Sequence, residues 1–308
     1  MDLADKKILV TGGGGFVGSH VLRLLRERGI PRENIVSISS KECDLMKWEN
    51  CERVVKGMDV VIHLAGITGG GQLHRDHPAE IFYRNMIMGA QLMEAAHLAG
   101  IQKFVIAGSV AEYPAAGISP LREEDLWSGF PAADHAPYAV AKRALLVQGQ
   151  AYREQYHFNA IHLLLTNIYG PAASMDSGVI PSLIKKIRLA KLSAQAKIVM
   201  VGDGSATRDF LYVEDAADAI IKATERYDKP NPVNIGSGKE ERIADIAKII
   251  AETMEFDGVI EFGDLNGGNA SGRFLDVSSA EREFGFRAMV DVRTGLRKTI
   301  GWYNDEHV

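Results

Sequence analysis

KKILVTGGGGFVGSHVLRLLRERG, residues 6–29, reads as a strand, a glycine turn and a helix in immediate succession. Ile8 to Val10 suit a short buried strand. Val17, Val21, Leu22 and Leu25 then recur at helical spacing until Gly29 stops the helix. The glycines between fit two spacings equally: Gly13, Gly15 and Gly18 give GxGxxG, and Gly12, Gly15 and Gly18 give GxxGxxG. Such a turn lets the backbone approach a pyrophosphate, and the helix N–H groups then bind the anion. At the first strand–helix junction of a chain this is a dinucleotide-binding signal; in a loop it would be only a structural turn.

The chain that follows alternates strands and helices. Ile35–Ile38 is the second strand, and a carboxylate at its end would normally hold the ribose 2′-OH of NAD. Ser39, Ser40 and Lys41 stand there instead. Hydroxyls and an ammonium welcome a 2′-phosphate, so NADP(H) is the expected cofactor, with NAD(H) as the alternative. Asp44, before Leu45, can reach an adenine amino group or make an Asx turn. Val60–Leu64 is a strand ending in the small residues Ala65 and Gly66, across which a cofactor can lie.

A helix over 78–100 carries Ile81, Met88, Leu92 and Ala96 as its apolar stripe, and Asn85 on it is expected to tie the central strands together. The strand in residues 103–114 presents Ser109 at its C-terminal tip, while Glu112 is expected on the opposite face. Further strands are expected at 160–166, 233–235 and 273–277, and helices at 179–187, 242–254 and 292–302. The expected fold class is α/β: a Rossmann-type parallel sheet with helices on both faces, plus a smaller mixed α/β substrate-binding lobe. Residues 1–167, with 206–236 returning to them, should form the dinucleotide domain; 168–205 and 237–308 should form the lobe.

DHAPYAVAK, residues 134–142, places Tyr138 and Lys142 four apart at a helix start, with Pro137 in the first turn. Residues so spaced share a helix face and can reach one ligand. An ammonium beside a phenol favours the phenolate, which would bring the tyrosine pKa down toward neutrality and make a proton donor and acceptor at a carbonyl or alcohol. A Tyr/Lys pair alone is an ordinary surface feature. Its order after a glycine turn and a strand-tip serine marks it as an active site. Arg208, beside Asp209, can bind phosphate bidentately or simply pair with its neighbour.

Composition excludes several classes. Over 308 residues the formal charge is 35 − 40 = −5 with no basic block, which argues against nucleic acid. No apolar run approaches a membrane span, and no signal peptide is evident, so a cytoplasmic, soluble protein is expected. Cys43 and Cys51 are too few for a disulfide scaffold or a metal set and are expected as free thiols; no metal is expected. His74 and His77 are expected as solvent or packing residues.

The chain resembles the extended short-chain dehydrogenase/reductase family over nearly its whole length. The resemblance rests on TGGGGFVG (11–18), HLAG (63–66), GSVAEY (108–113), YAVAK (138–142), TNIYGP (166–171), GDGSATRDFLYVED (202–215) and NIGSG (234–238). It implies an enzyme of nucleotide-diphosphate sugars, with Ser109, Tyr138 and Lys142 as the catalytic set and a homodimer as the assembly. Cofactor contacts would come from Gly12, Gly15, Phe16, Val17 and Gly18, from Ser39, Lys41, Asp44 and Leu45, and from Leu64, Ala65, Gly66 and Ala107. Tyr138, Lys142, Leu165, Asn167 and Ile168 would complete that site. The substrate would meet Ser109, Thr166, Asn167, Val179, Lys186 and Val201, with Arg208 and Arg273 at its diphosphate and ribose.

Within the family, residues 66–88, 151–156 and 178–183 resemble the GDP-L-fucose synthases. Those enzymes use a strand-tip Cys and a His before VIP to epimerise, and this chain has Ala111 and Gly178 there. Neither can move a proton. The resemblance therefore implies oxidoreduction at the sugar C4: because no ribose-binding carboxylate follows the second strand and NADPH is the usual reducing pool, an NADPH-dependent 4-keto-sugar reductase by preference, with a 4-epimerase with tightly bound NAD as the alternative and a full GDP-L-fucose synthase after both. A dinucleotide-binding regulatory protein would be expected to lose a catalytic residue, and all three stand.

Overall fold

The computed structural model describes residues 1–171, 178–263 and 272–306. Strand β1 (Ile8–Thr11) is buried throughout and turns into α1 (Phe16–Glu27), whose Gly18, Val21, Leu22 and Leu25 face inward. Gly12 takes φ +70°, and a Cβ there would stand 2.8 Å from the Ala65 nitrogen, so only glycine fits the turn. The chain continues through β2 (Ile35–Ile38), α2 (Trp48–Val55), β3 (Val60–His63), α3 (Gly71–Asp76), α4 (Pro78–Leu98) and β4 (Lys103–Ser109). After a loop with short 3-10 turns come α5 (Ala136–Tyr156), β5 (Ala160–Leu165) and β6 (Asn167–Tyr169). Next are α6 (Val179–Leu192), β7 (Lys197–Val201), β8 (Thr207–Arg208), β9 (Phe210–Tyr212), α7 (Val213–Arg226) and β10 (Val233–Ile235). Then follow β11 (Glu241–Arg242), α8 (Ile243–Thr253), β12 (Val259–Gly263), α9 (Ser278–Phe284) and α10 (Val292–Glu306).

Six strands form one parallel sheet in the order β10-β5-β4-β3-β1-β2. The chain steps outward from β1 to β2 and then builds the other side from β3, so the direction reverses between β1 and β3. Ligands in open α/β sheets bind outside the strand ends at such a reversal. Thr11 marks the place: its Oγ1 lies 2.8 Å from His63 Nδ1 and accepts the Ala65 N–H at 3.2 Å.

Because successive strand side chains point to opposite faces, Val10 and Ile62 pack under α1 and α7, while Leu9 and Val61 pack under α2 and α4. Both faces being covered, the strands are apolar almost without interruption. A second core gathers Leu183, Ile184, Ile187, Ile246, Ile250 and Ile300 from α6, α8 and α10, beside the small parallel pair β7–β12. Among the described residues no helix is long and apolar enough to cross a membrane.

Two local expectations are corrected. Residues 273–277 make only isolated bridges, because the Phe274 carbonyl accepts from Leu121 and the Leu275 N–H turns to the Asp209 carboxylate. Asn85 does not join strands: it closes the loop after β3, donating to the Ile67 carbonyl and accepting the Ile67 N–H, both at 2.9 Å.

Candidate active site

Ser109 is the last residue of β4, and its hydroxyl caps the 3-10 turn Val110–Glu112 by accepting the Ala111 N–H at 3.1 Å. Glu112 completes the box, its Oε1 accepting the Ser109 N–H at 2.7 Å. The turn ends the strand early, so Glu112 is not on the opposite face of a strand; it folds back beneath the tip, fully buried. Tyr138 and Lys142, on the first turns of α5, lie on the same side of the helix, 9% and 3% exposed. The Lys142 ammonium is 5.8 Å from the Tyr138 ring centroid, and the phenol is near enough to Ser109 for that hydroxyl to favour its ionised form.

These three line a cavity of about 400 Å³ whose far wall includes Thr166, Asn167 and Arg208. Val17, Leu64, Gly66, Ala107, Leu165 and Ile168 line it on the sheet side, with Val179 at the start of α6. Thr166 Oγ1 and Asn167 Nδ2 each donate to the Asp209 carbonyl at 3.0 Å, which anchors β5 and β6 to the segment carrying Arg208. The Asp209 carboxylate is taken up by Ser237, Gly238 and Leu275.

The electrostatics correct the expectation for Tyr138. Burial, followed by the charge of Glu112, holds the phenol above the usual tyrosine range, and the Ser109 hydrogen bond opposes them. Burial likewise pushes Lys142 down to about 8, with Glu112 opposing. Desolvation outweighs the mutual effect of ammonium and phenol. At neutral pH the site therefore presents a protonated phenol and a cation. His63, pressed down to about 3 by burial and then by Lys142, stays neutral beneath it.

A second cavity, about 670 Å³, adjoins at Gly66 and is lined by Gly12, Gly15, Ser39, Lys41, Asp44 and Leu45; Ala65 and Arg84 also face it. Its lining of glycines, hydroxyls and Lys41 suits a dinucleotide. A Cβ on Gly14 would meet no protein atom within 4 Å and would point into the cradle, and α1 begins with no side-chain cap and no acid in its first turn. Free N–H groups there suit a pyrophosphate. Asp44 makes the Asx turn, accepting the Met46 N–H at 3.0 Å, and still lines the cavity. At the β2 tip the Glu42 carboxylate accepts the Ser39 N–H at 3.1 Å and the Ser39 hydroxyl at 2.7 Å.

Some expected residues stand apart from both cavities. Phe16 packs edge-on to His20, and Gly18 serves packing, since a Cβ there would collide with the Gly12 carbonyl. Lys186 donates to the Val199 carbonyl at 3.2 Å, and Val201 is exposed on β7. Arg273 is bridged through its main chain to Arg208 and donates to the Tyr113 and Pro114 carbonyls. Sequence reasoning missed Glu42, His135 and the placement of Glu112, while His74, expected as a solvent or packing residue, packs beside the site. His74 is buried, its ring 4.5 Å from that of His135 and 5.8 Å from that of Tyr138. The spacing Ser109-x-x-Glu112 was the one readable signal, a capping box. Among the described residues no group of His, Cys, Asp or Glu is arranged to hold a metal.

Residues 8–236 match the model of the NAD dependent epimerase/dehydratase family. The chain is 34% identical over 302 residues to a GDP-L-fucose synthase of Sinorhizobium fredii, covering 96% of this chain and 95% of that protein. It is 31% identical to a GDP-L-colitose synthase of Yersinia pseudotuberculosis, covering 97% and 98%. Among solved structures it superposes on a GDP-mannoheptose C4 reductase from Campylobacter jejuni with NADP bound, at a TM-score of 0.89 and 25% identity over 99% of both chains.

Proposed function

The chain belongs to the NAD dependent epimerase/dehydratase family, and on that premise we propose that it is an NADPH-dependent reductase of a 4-keto sugar carried on a nucleoside diphosphate. At the coarser level it is an NAD(P)-dependent enzyme acting on nucleotide sugars by oxidoreduction or epimerisation. The convergence of Ser109, Tyr138 and Lys142 on one cavity, while Ala111 and Gly178 offer no second acid or base, supports chemistry at C4 alone. The observation that carries the reductase reading is Ser39, Ser40 and Lys41 lining the second cavity where a ribose-binding carboxylate would favour NAD. The guanosine-linked names of the relatives support GDP as the nucleotide.

NADPH, when bound, supplies the hydride that reduces C4. Tyr138, held protonated, gives its proton to O4 as the carbonyl becomes an alcohol, and Ser109 orients that oxygen. Lys142 keeps a positive charge beside the phenolate that results and holds the cofactor ribose. Gly14 and Gly15 seat the pyrophosphate at the start of α1, with Lys41 and Ser39 near the adenosine ribose. Arg208, which lines the cavity, would hold the sugar-nucleotide diphosphate. Gly178 sits at φ +102°, a conformation that a histidine would enter only with strain.

A second reading, a 4-epimerase retaining NAD, is favoured by one observation. The Glu42 carboxylate occupies the donors of Ser39 that a 2′-phosphate would use. We also propose a homodimer through α4 and α5, which leave Tyr83 and Val147 exposed at 56% and 49%. The test is to incubate the purified protein with a GDP-linked 4-keto hexose, with and without NADPH. Stoichiometric NADPH consumption with formation of the 4-hydroxy sugar is expected. Interconversion of 4-epimers of a GDP-hexose with no added reductant would overturn the reductase reading.

A further inference from the structure

Behind Ser109 lies a buried acid–base pair that the mechanism does not use. Glu112 and His162 have side-chain exposures of 0% and 1%, and His162 Nε2 stands 3.0 and 3.1 Å from the two carboxylate oxygens. The carboxylate faces only donors: this imidazole nitrogen and the Ser109 N–H at 2.7 Å. His162 Nδ1 is buried with no partner, which an unprotonated nitrogen tolerates better than a stranded N–H. The pair thus leaves one negative charge beneath the β4 tip.

The backbone is built to admit it. Gly108 passes directly over the pair; a Cβ there would collide with His162 Nε2 and lie 2.6 Å from Glu112 Oε1. From α5, Arg143 Nε donates to the Glu112 carbonyl at 2.7 Å, while its other nitrogens serve the Leu126 and Gly129 carbonyls. The charged and titratable groups that feel the carboxylate are Lys142, Arg143 and Tyr138 on α5, His162 on β5 and Tyr113 beside it.

We propose that Glu112, clamped by His162, is a positioning residue for Ser109, Tyr138 and Lys142: it fixes the Ser109 main chain at the strand tip and presents a buried negative charge to the phenol and the ammonium. The proposal rests on the reading of those three residues as the catalytic set. A capping residue alone needs an acceptor at this place, not a charge. Glu112→Gln separates the two roles, because the amide oxygen can still accept the Ser109 N–H while the charge is gone.

The test compares wild type, Glu112→Gln and Tyr138→Phe with NADPH and a GDP-linked 4-keto hexose, recording kcat and KM across pH. For Glu112→Gln we expect kcat to fall about tenfold with KM nearly unchanged, and the alkaline limb to move about one unit to lower pH, since the Lys142 ammonium, the first of the two to lose its proton, and the phenol above it both lose the charge that held their protons. An alkaline limb superimposable on wild type, with Tyr138→Phe inactive, overturns this proposal and leaves the catalytic set standing. Tyr138→Phe turning over like wild type removes the catalytic set and this proposal with it. Should Glu112→Gln not fold, His162→Gln loosens the clamp and spares the charge. A lowered kcat at an unmoved alkaline limb is then expected, and an unchanged kcat overturns the proposal.

Discussion

Replacing Lys142 with Met should make the protein more stable while abolishing its chemistry. The ammonium is buried, and its pKa falls from 10.5 to about 8 despite the opposing charge of Glu112. A drop of that size means that the charged form costs about 3 kcal/mol of folding stability at neutral pH. Methionine keeps an unbranched apolar stem of similar length and removes the charge. Its sulfur end should sit in the same channel. The expected gain is about 2–4 kcal/mol, or a Tm higher by roughly 5 °C in a chain of this size.

The sign can be checked independently of the magnitude. A lysine whose folded pKa is depressed binds fewer protons folded than unfolded between about 8 and 10.5, so the wild type gains stability as pH rises through that window. The advantage of Lys142→Met should therefore be largest near about pH 7 and shrink toward about pH 10. The assay is thermal or urea unfolding of both proteins across that range, with NADPH turnover measured in parallel. A variant less stable than wild type at neutral pH, or an advantage that grows with pH, would refute the reasoning.

Three further outcomes are expected. Tyr138→Phe should lose roughly 10²–10⁴-fold in kcat, the usual worth of a positioned proton donor, with NADPH affinity within a few-fold; fluorescence titration and turnover check both. Glu42→Gln should tighten NADPH relative to NADH by about tenfold, because it removes a carboxylate from the donors of Ser39; an unchanged ratio of dissociation constants would count against the 2′-phosphate assignment. Tyr83→Asp combined with Val147→Asp should convert the proposed dimer to monomer in sedimentation velocity, since a charge on a buried apolar face is costly.

What was legible in the sequence was whatever depended on local chemistry. The strand, turn and helix of residues 8–27 follow from apolar spacing and glycine, and so does the pairing of Tyr138 with Lys142 on one face of α5. The place of Ser109 followed from its position at the end of an apolar run. The rest depended on neighbours far along the chain. The proton affinity of Tyr138 is set by burial and Glu112, so the local ammonium gave the wrong direction. Residues 273–277 have strand composition, yet their main-chain groups are claimed by Leu121 and Asp209. The resemblance that implied Lys186 for substrate could not show that its ammonium turns back to the Val199 carbonyl.

The β10–β5 pairing has a consequence for how the molecule is made. Val233, Asn234 and Ile235 dock beside Leu163, Leu164 and Leu165, and the Thr166 N–H donates to the Ile235 carbonyl at 3.0 Å. During synthesis β5 leaves the ribosome well before its outer neighbour exists, which at ordinary elongation rates is a delay on the order of ten seconds. For that interval the nascent sheet carries an open, largely apolar edge, the kind of surface that pairs wrongly when crowded. The same stitch bears on engineering. The lobe cannot be exchanged as a cassette with a single cut, because a graft after residue 165 would carry away the strand that closes the sheet.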